Sequence, residues 1–137
     1  MAIERWCPRS GYTKQEEALL HLLRKERKLF AFLRRHRHEL FDDAFQAELA
    51  AMYRDTGAGA DPVVPALMAM ALLLQSYCGV SDHEARVLTV ADLRWQMVLD
   101  RLGATEPAFA QSTQVDFRDR LIRHDMDRRL LERTVEL

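Results

Sequence analysis

Between residues 13 and 37 apolar side chains return every third or fourth position: Leu19, Leu22, Leu23, Leu29, Phe30 and Leu33. At about 100° per residue they form one stripe, with Glu26 as the charged intruder, and this predicts a single amphipathic helix. Thr13-Lys14-Gln15-Glu16 has the spacing of a capping box, in which the Thr13 hydroxyl and the Glu16 carboxylate satisfy orphan N–H groups. A second helix is predicted over 43–54, with Phe45, Leu49 and Met52 on its inner face. The stretch 56–62, rich in glycine, then breaks the chain; Asp61 reads as an N-cap with Pro62 in the first turn, where a missing N–H costs nothing. Residues 63–78 are apolar nearly all round, which a soluble domain tolerates only in a helix enclosed by others. This run predicts the central helix, with Leu72 in the core and Gly79 closing it in the left-handed conformation.

Ser81-x-x-Glu84 is a second capping box and starts a short helix to 88. Thr89-x-x-Asp92 marks a further start, carrying Leu93, Trp95, Val98, Leu99 and Leu102 to a stop at Gly103. After a loop over 104–111, Ser112 or Thr113 begins a helix to 124 with Val115, Phe117, Leu121 and Ile122 inward. Its outer side shows Asp116/Arg120 and Asp119/Arg123, acid-before-base pairs worth only ~0.2–0.5 kcal/mol each. Asp125 caps a last helix that runs to 137. No segment alternates apolar and polar with period two over strand length. The expected fold is all-α: an irregular arm over 1–12, then one multi-helix domain over 13–137 packed round the buried helix at 63–78, with a helix-turn-helix-like corner.

A chain of 137 residues fits one domain and buries enough surface to need neither metal nor disulfide. Its two cysteines, Cys7 and Cys78, have no CxxC spacing and read as reduced thiols. No secretory signal is visible, and the 16-residue apolar run is shorter than the ~18–20 residues that cross a bilayer. These features point to a soluble, cytoplasmic protein. The net charge of −1 hides an uneven distribution: residues 1–40 carry +5, residues 41–110 carry −6 and residues 111–137 balance.

Only the first segment suggests a polyanionic partner. Arg24, Lys25, Arg27, Lys28, Arg34, Arg35 and Arg37 put seven cations in fourteen positions, and Arg24, Lys28 and Arg35 share a face opposite the leucines. Phosphates need such spacing, since counterion displacement supplies most nonspecific affinity. The same face also reads as a solvated surface lying against the acidic middle of the chain. Around Gly79 the sequence resembles a helix-turn-helix, but its second helix, 81–88, has two acids and one arginine, which suits a packing corner better than a groove. The five histidines are scattered, and no nucleophile triad, glycine-rich phosphate loop or zinc spacing occurs, so neither an active site nor a cofactor is expected.

Three stretches in order carry a family resemblance: Gly79-Val80-Ser81-Asp82-His83-Glu84, then Leu93-Arg94-Trp95, then Ser112-Thr113 with Phe117-Arg118. Together with the apolar helix before them they resemble the N-terminal helical domain of bacterial insertion-sequence transposases of the DDE class. The match spans 40–123 and departs at Ala110-Gln111, where that family has Asp-His. The resemblance implies a DNA-binding and assembly module that recognises double-stranded DNA at transposon ends. It adds Ser112, Thr113, Gln114 and Arg118 to the cations as DNA contacts. It also implies that the three catalytic acids belong to an RNase H-like domain, of which nothing follows Leu131-Glu132-Arg133. This chain is therefore expected to be non-catalytic, either cut or a truncated copy, with no metal, no membrane partner and no small-molecule substrate. The competing expectation is a helical protein–protein interaction or regulatory domain that pairs with a second copy or with the intact transposase.

Overall fold

The Thr13 capping box forms as its spacing requires: the Thr13 hydroxyl accepts from Glu16 N at 3.1 Å and Glu16 Oε1 accepts from Thr13 N at 3.0 Å. The computed structural model describes residues 3–24, 27–53 and 64–136. Among them lie eight helices and no strand: α1 (Lys14–Leu22), α2 (Arg27–Leu40), α3 (Asp43–Ala51), α4 (Pro65–Cys78), α5 (Asp82–Ala91), α6 (Leu93–Val98), α7 (Gln111–Arg123) and α8 (Met126–Glu136). The proposed cap at Asp61 and the break over 56–62 lie outside the described residues.

The helix expected over 13–37 is two helices. Leu23 caps α1 in extended conformation (φ −68°, ψ 141°), and α2 starts at Arg27. The physical reason is the run of five charged residues at 24–28. A turn with no apolar side chain has nothing to bury, and helical hydrogen bonding alone is marginal over such lengths. Leu22, read as part of the stripe, is consequently left exposed.

Helix α4 is the expected centre. Ala66, Met68, Ala69, Met70, Ala71, Leu73 and Leu74 are buried, Leu72 is only half-buried, and the last turn (Ser76, Tyr77, Cys78) is in solvent. Gly79 ends it at φ 67°, as foreseen. The short helix α6 is a second centre that the sequence did not announce: Trp95, Gln96, Met97, Val98 and Leu99 are all buried between α2 and α5. It starts at Asp92, whose Oδ1 accepts from Arg94 N (2.8 Å) and Trp95 N (3.3 Å), not at Thr89. Thr89 instead sits inside the longer α5, where its hydroxyl donates to Arg86 O at 2.7 Å and accepts from Ala108 N at 3.1 Å. The chain leaves α6 through Asp100, left-handed at φ 59°, before it reaches Gly103.

The arm before α1 is irregular but docked. Trp6 is buried edge-on to Phe41 at 5.7 Å, and Gln46 brackets its backbone, accepting from Trp6 N (2.8 Å) and donating to Trp6 O (2.9 Å). Cys7 and Cys78 are exposed free thiols.

Helix α7 turns a different face inward from the one expected. Phe117 and Leu121 are buried with Gln114 and Arg120, whereas Val115 and Ile122 are exposed. At about 100° per residue, Val115 and Ile122 lie some 140–160° from Phe117, so the core cannot hold all three. Arg120 is therefore not part of a solvent face. It donates to Met52 O at 2.7 Å, pairs with Asp116 at 2.8 Å and lies over the Tyr53 ring at 4.3 Å. The outer pair, Arg123 with Asp119 at 3.1 Å, forms as predicted.

Candidate nucleic-acid interface

The cations of the first segment divide into two groups according to the face of α2 that carries them. Arg34 and Arg37, three apart, point inward. Arg34 forms an ion pair with Glu16, both side chains being only 2% exposed, and donates to Gly11 O at 2.7 Å. Arg37 donates to Met97 O (2.9 Å), Val98 O (3.1 Å) and Arg9 O (2.7 Å), with Asp100 beside it at 3.7 Å. The expectation that these two arginines face DNA is therefore corrected: they tie the arm, α1 and the end of α6 to α2. Burial pushes Glu16 up, but the Arg34 hydrogen bond, the Thr13 N–H and the charges of Arg34 and Arg37 together leave it below its ordinary value of 4.5. Burial, with the like charge of Arg34 next, lowers Arg37 to about 10, so it stays charged at neutral pH.

Lys28 and Arg35 occupy the outer face of the same helix, and Arg24 lies in the connection before it. All three are exposed and have no ion-pair partner among the described residues. Lys14 and Arg128, which lie outside the basic run at 24–37, share that condition. Lys25 and the side chain of Arg27 lie outside the described part.

The residues singled out near the start of α7 are also dispersed. Ser112 is exposed and Thr113 half-buried, but Gln114 is buried, with its amide donating to Asp82 O at 3.1 Å and accepting from Arg86. Arg118 grips both carboxylate oxygens of Asp82. Gln75 donates to the same carboxylate at 2.9 Å and to Val80 O at 3.2 Å. Gln114 is thus removed from any DNA-contact surface by its burial, and Arg118 is already engaged with an acid. No signal in the sequence joined Asp82 to Arg118, because nothing local links positions 36 apart.

The α4–Gly79–α5 corner is present, and α5 exposes His83, Glu84 and Val87 while its first acid is spent on Arg118. That is the surface of a packing corner. Among the described residues no group of three or more His, Cys, Asp or Glu could hold a metal ion, and no helix is long and apolar enough to cross a membrane.

The Arg118 and Gln75 hydrogen bonds, ahead of the burial that opposes them, hold the Asp82 pKa at about 2, below the ordinary 3.8. A depressed carboxylate stabilises the fold above its unfolded pKa and loses that contribution as pH falls through the folded one. The urea midpoint of the wild type should therefore exceed that of Asp82→Asn by a constant amount above pH 3.8, and the gap should close as pH approaches about 2. A gap independent of pH would show that the pair adds nothing to stability.

An all-α domain with a buried central helix and a cationic outer face is the class this geometry defines. The transposase domain family DUF772 matches residues 19–120, most of the chain and every element from α2 to α6, and the chain belongs to that family. Comparison with curated proteins and with solved structures gave no match.

Proposed function

We propose that this domain holds double-stranded DNA at transposon ends, as the non-catalytic part of a DDE-class transposase. The observation that carries the reading is the exposure of Arg24, Lys28 and Arg35, with no ion-pair partner among the described residues, in a domain of a transposase family. A cation already paired with a carboxylate gains little from a phosphate, whereas an unpaired one releases the phosphate's counterion at full effect. Lys28 and Arg35 are seven positions apart on one helix, so they stand about 10 Å apart along its axis and can meet separate phosphates. Of the contacts that the resemblance implies on α7, Ser112 is exposed and Thr113 half-buried, and both belong to the proposed DNA contacts.

A second reading has its own observation. Val115, Ile122, Leu131 and Val135 are exposed aliphatics on α7 and α8, 50–85% accessible, which suits a protein-interaction domain paired with a second copy or an intact transposase. Size measurement and DNA retention at ~0.1 M salt, where screening is moderate, separate the two. Retention of a transposon-end duplex by the monomer supports the first reading. A stable dimer that retains no duplex would transfer the assignment to the second.

A further inference from the structure

The two sequence stretches at 79–84 and 112–118 meet at one point. There α4 contributes Gln75, α5 contributes Asp82 and Arg86, and α7 contributes Gln114 and Arg118. Gln114 and Arg118 are four apart, hence on one face of α7, and both reach Asp82: one its carbonyl at 3.1 Å, the other its carboxylate. A two-bonded arginine–carboxylate contact fixes direction as well as distance, because both groups are planar. From this point α7 runs through the turn at Asp125 (φ 55°) into α8. Arg133 of α8 then donates to the carbonyls of Glu39 and Leu40, the last of α2, which is the helix that carries Lys28 and Arg35. Two residues beyond Arg118, Arg120 holds Met52 O, just after α3, at 2.7 Å. The α7–α8 hairpin is therefore gripped at one end by Asp82 and at the other by the cationic helix.

We infer that Asp82 and Arg118 are a positioning pair that sets how α7 sits on the α4–α5 corner, and that the grip on DNA depends on that setting. This rests on the DNA-holding reading above. The inference reverses an ordinary electrostatic expectation. Neutralising an acid in a DNA-binding domain should strengthen binding by reducing repulsion; here it releases Arg118 and the hairpin, and binding weakens.

The test measures duplex-DNA affinity across a salt series for the wild type, Asp82→Asn, Arg118→Gln and the double variant, each below its melting temperature, with amide exchange alongside. Each single variant should lose about 2- to 30-fold in affinity, the range that coupling residues reach without touching a ligand. The double variant should be no worse than either single one, since the two act as a unit. The salt slope should not change, and α7 amides should lose protection in both single variants while α4 amides keep theirs. Exchanging the charges (Asp82→Arg with Arg118→Asp) should restore part of the affinity. Tighter binding by Asp82→Asn would overturn the inference. So would a slope flattened by ~0.9 in Arg118→Gln, which would make Arg118 a phosphate contact instead. If the wild type holds no DNA, the functional reading fails on its own and the exchange data still decide the pair: unaltered α7 protection in Asp82→Asn sinks it. Should Asp82→Asn melt too low to use, Arg118→Lys, which keeps the charge but loses the two-bonded grip, takes its place with the same expectations.

Discussion

Leu74→Asp should leave no cooperative unfolding transition. Leu74 is 0% exposed on α4, the helix against which α3, α5 and α7 all pack. A carboxylate there has no route to water, and an unpaired buried charge costs several kcal/mol even after relaxation. The whole stability of such a domain is about 5–15 kcal/mol, so one such cost consumes most of it. Thermal melting followed by circular dichroism reads the outcome directly. Leu72→Asp, two residues earlier and only half-buried, should keep a cooperative though lowered transition, because its carboxylate can turn to solvent. A sharp, near-native melt for Leu74→Asp would mean that α4 is not the enclosed centre.

Arg34→Met and Arg35→Ala should differ sharply although the residues are neighbours. Removing Arg34 leaves the Glu16 carboxylate buried without its cation and Gly11 O without its donor. Breaking one side of a buried pair typically costs ~3–5 kcal/mol. Arg35 is exposed, with no ion-pair partner among the described residues, and its loss should change stability by no more than ~0.5 kcal/mol. The sign of the pH dependence gives a further check. In the wild type Glu16 is held below 4.5, so its contribution is present above that pH and lost below it. In Arg34→Met the stranded carboxylate is relieved by protonation, and the deficit relative to wild type should shrink as pH falls below 4.5. Urea midpoints at several pH values measure both effects. Equal midpoints for the two variants would contradict the buried placement of Arg34.

What the sequence disclosed was local, and what it hid was contact between distant segments. The caps at Thr13 and Ser81 and the stop at Gly79 could be read because their partners lie within a few residues. The apolar surface of α4 announced its own burial. The inward arginines could not be read in the same way. Arg34, Arg37, Arg120 and Arg133 end on backbone carbonyls 23 to 94 positions away, and a carbonyl has no sequence signature. A stripe of leucines therefore told which face of α2 packs, but not that two arginines beside it would be drawn in. For the same reason α6 was underrated: Gln96 looks polar, yet its amide donates to Thr89 O, Val90 O and Ala104 O inside the core. On α7, four apolar residues were read as one face, and the helix had room to bury only two of them, Phe117 and Leu121. Burial therefore takes Arg34 and Arg37 from the seven cations of the first segment; Arg24, Lys28 and Arg35 are exposed, and Lys25 and the side chain of Arg27 lie outside the described residues.

The most direct test of the DNA-holding reading is the slope of log affinity against log salt for a transposon-end duplex, measured on the wild type and on the Arg24/Lys28/Arg35→Ala triple variant. Each phosphate neutralised contributes about −0.9 to that slope. If the three exposed cations each meet a phosphate, the triple substitution should flatten it by nearly three units, with the melting temperature little changed. An unchanged slope would contradict the account and leave that face of α2 merely solvated.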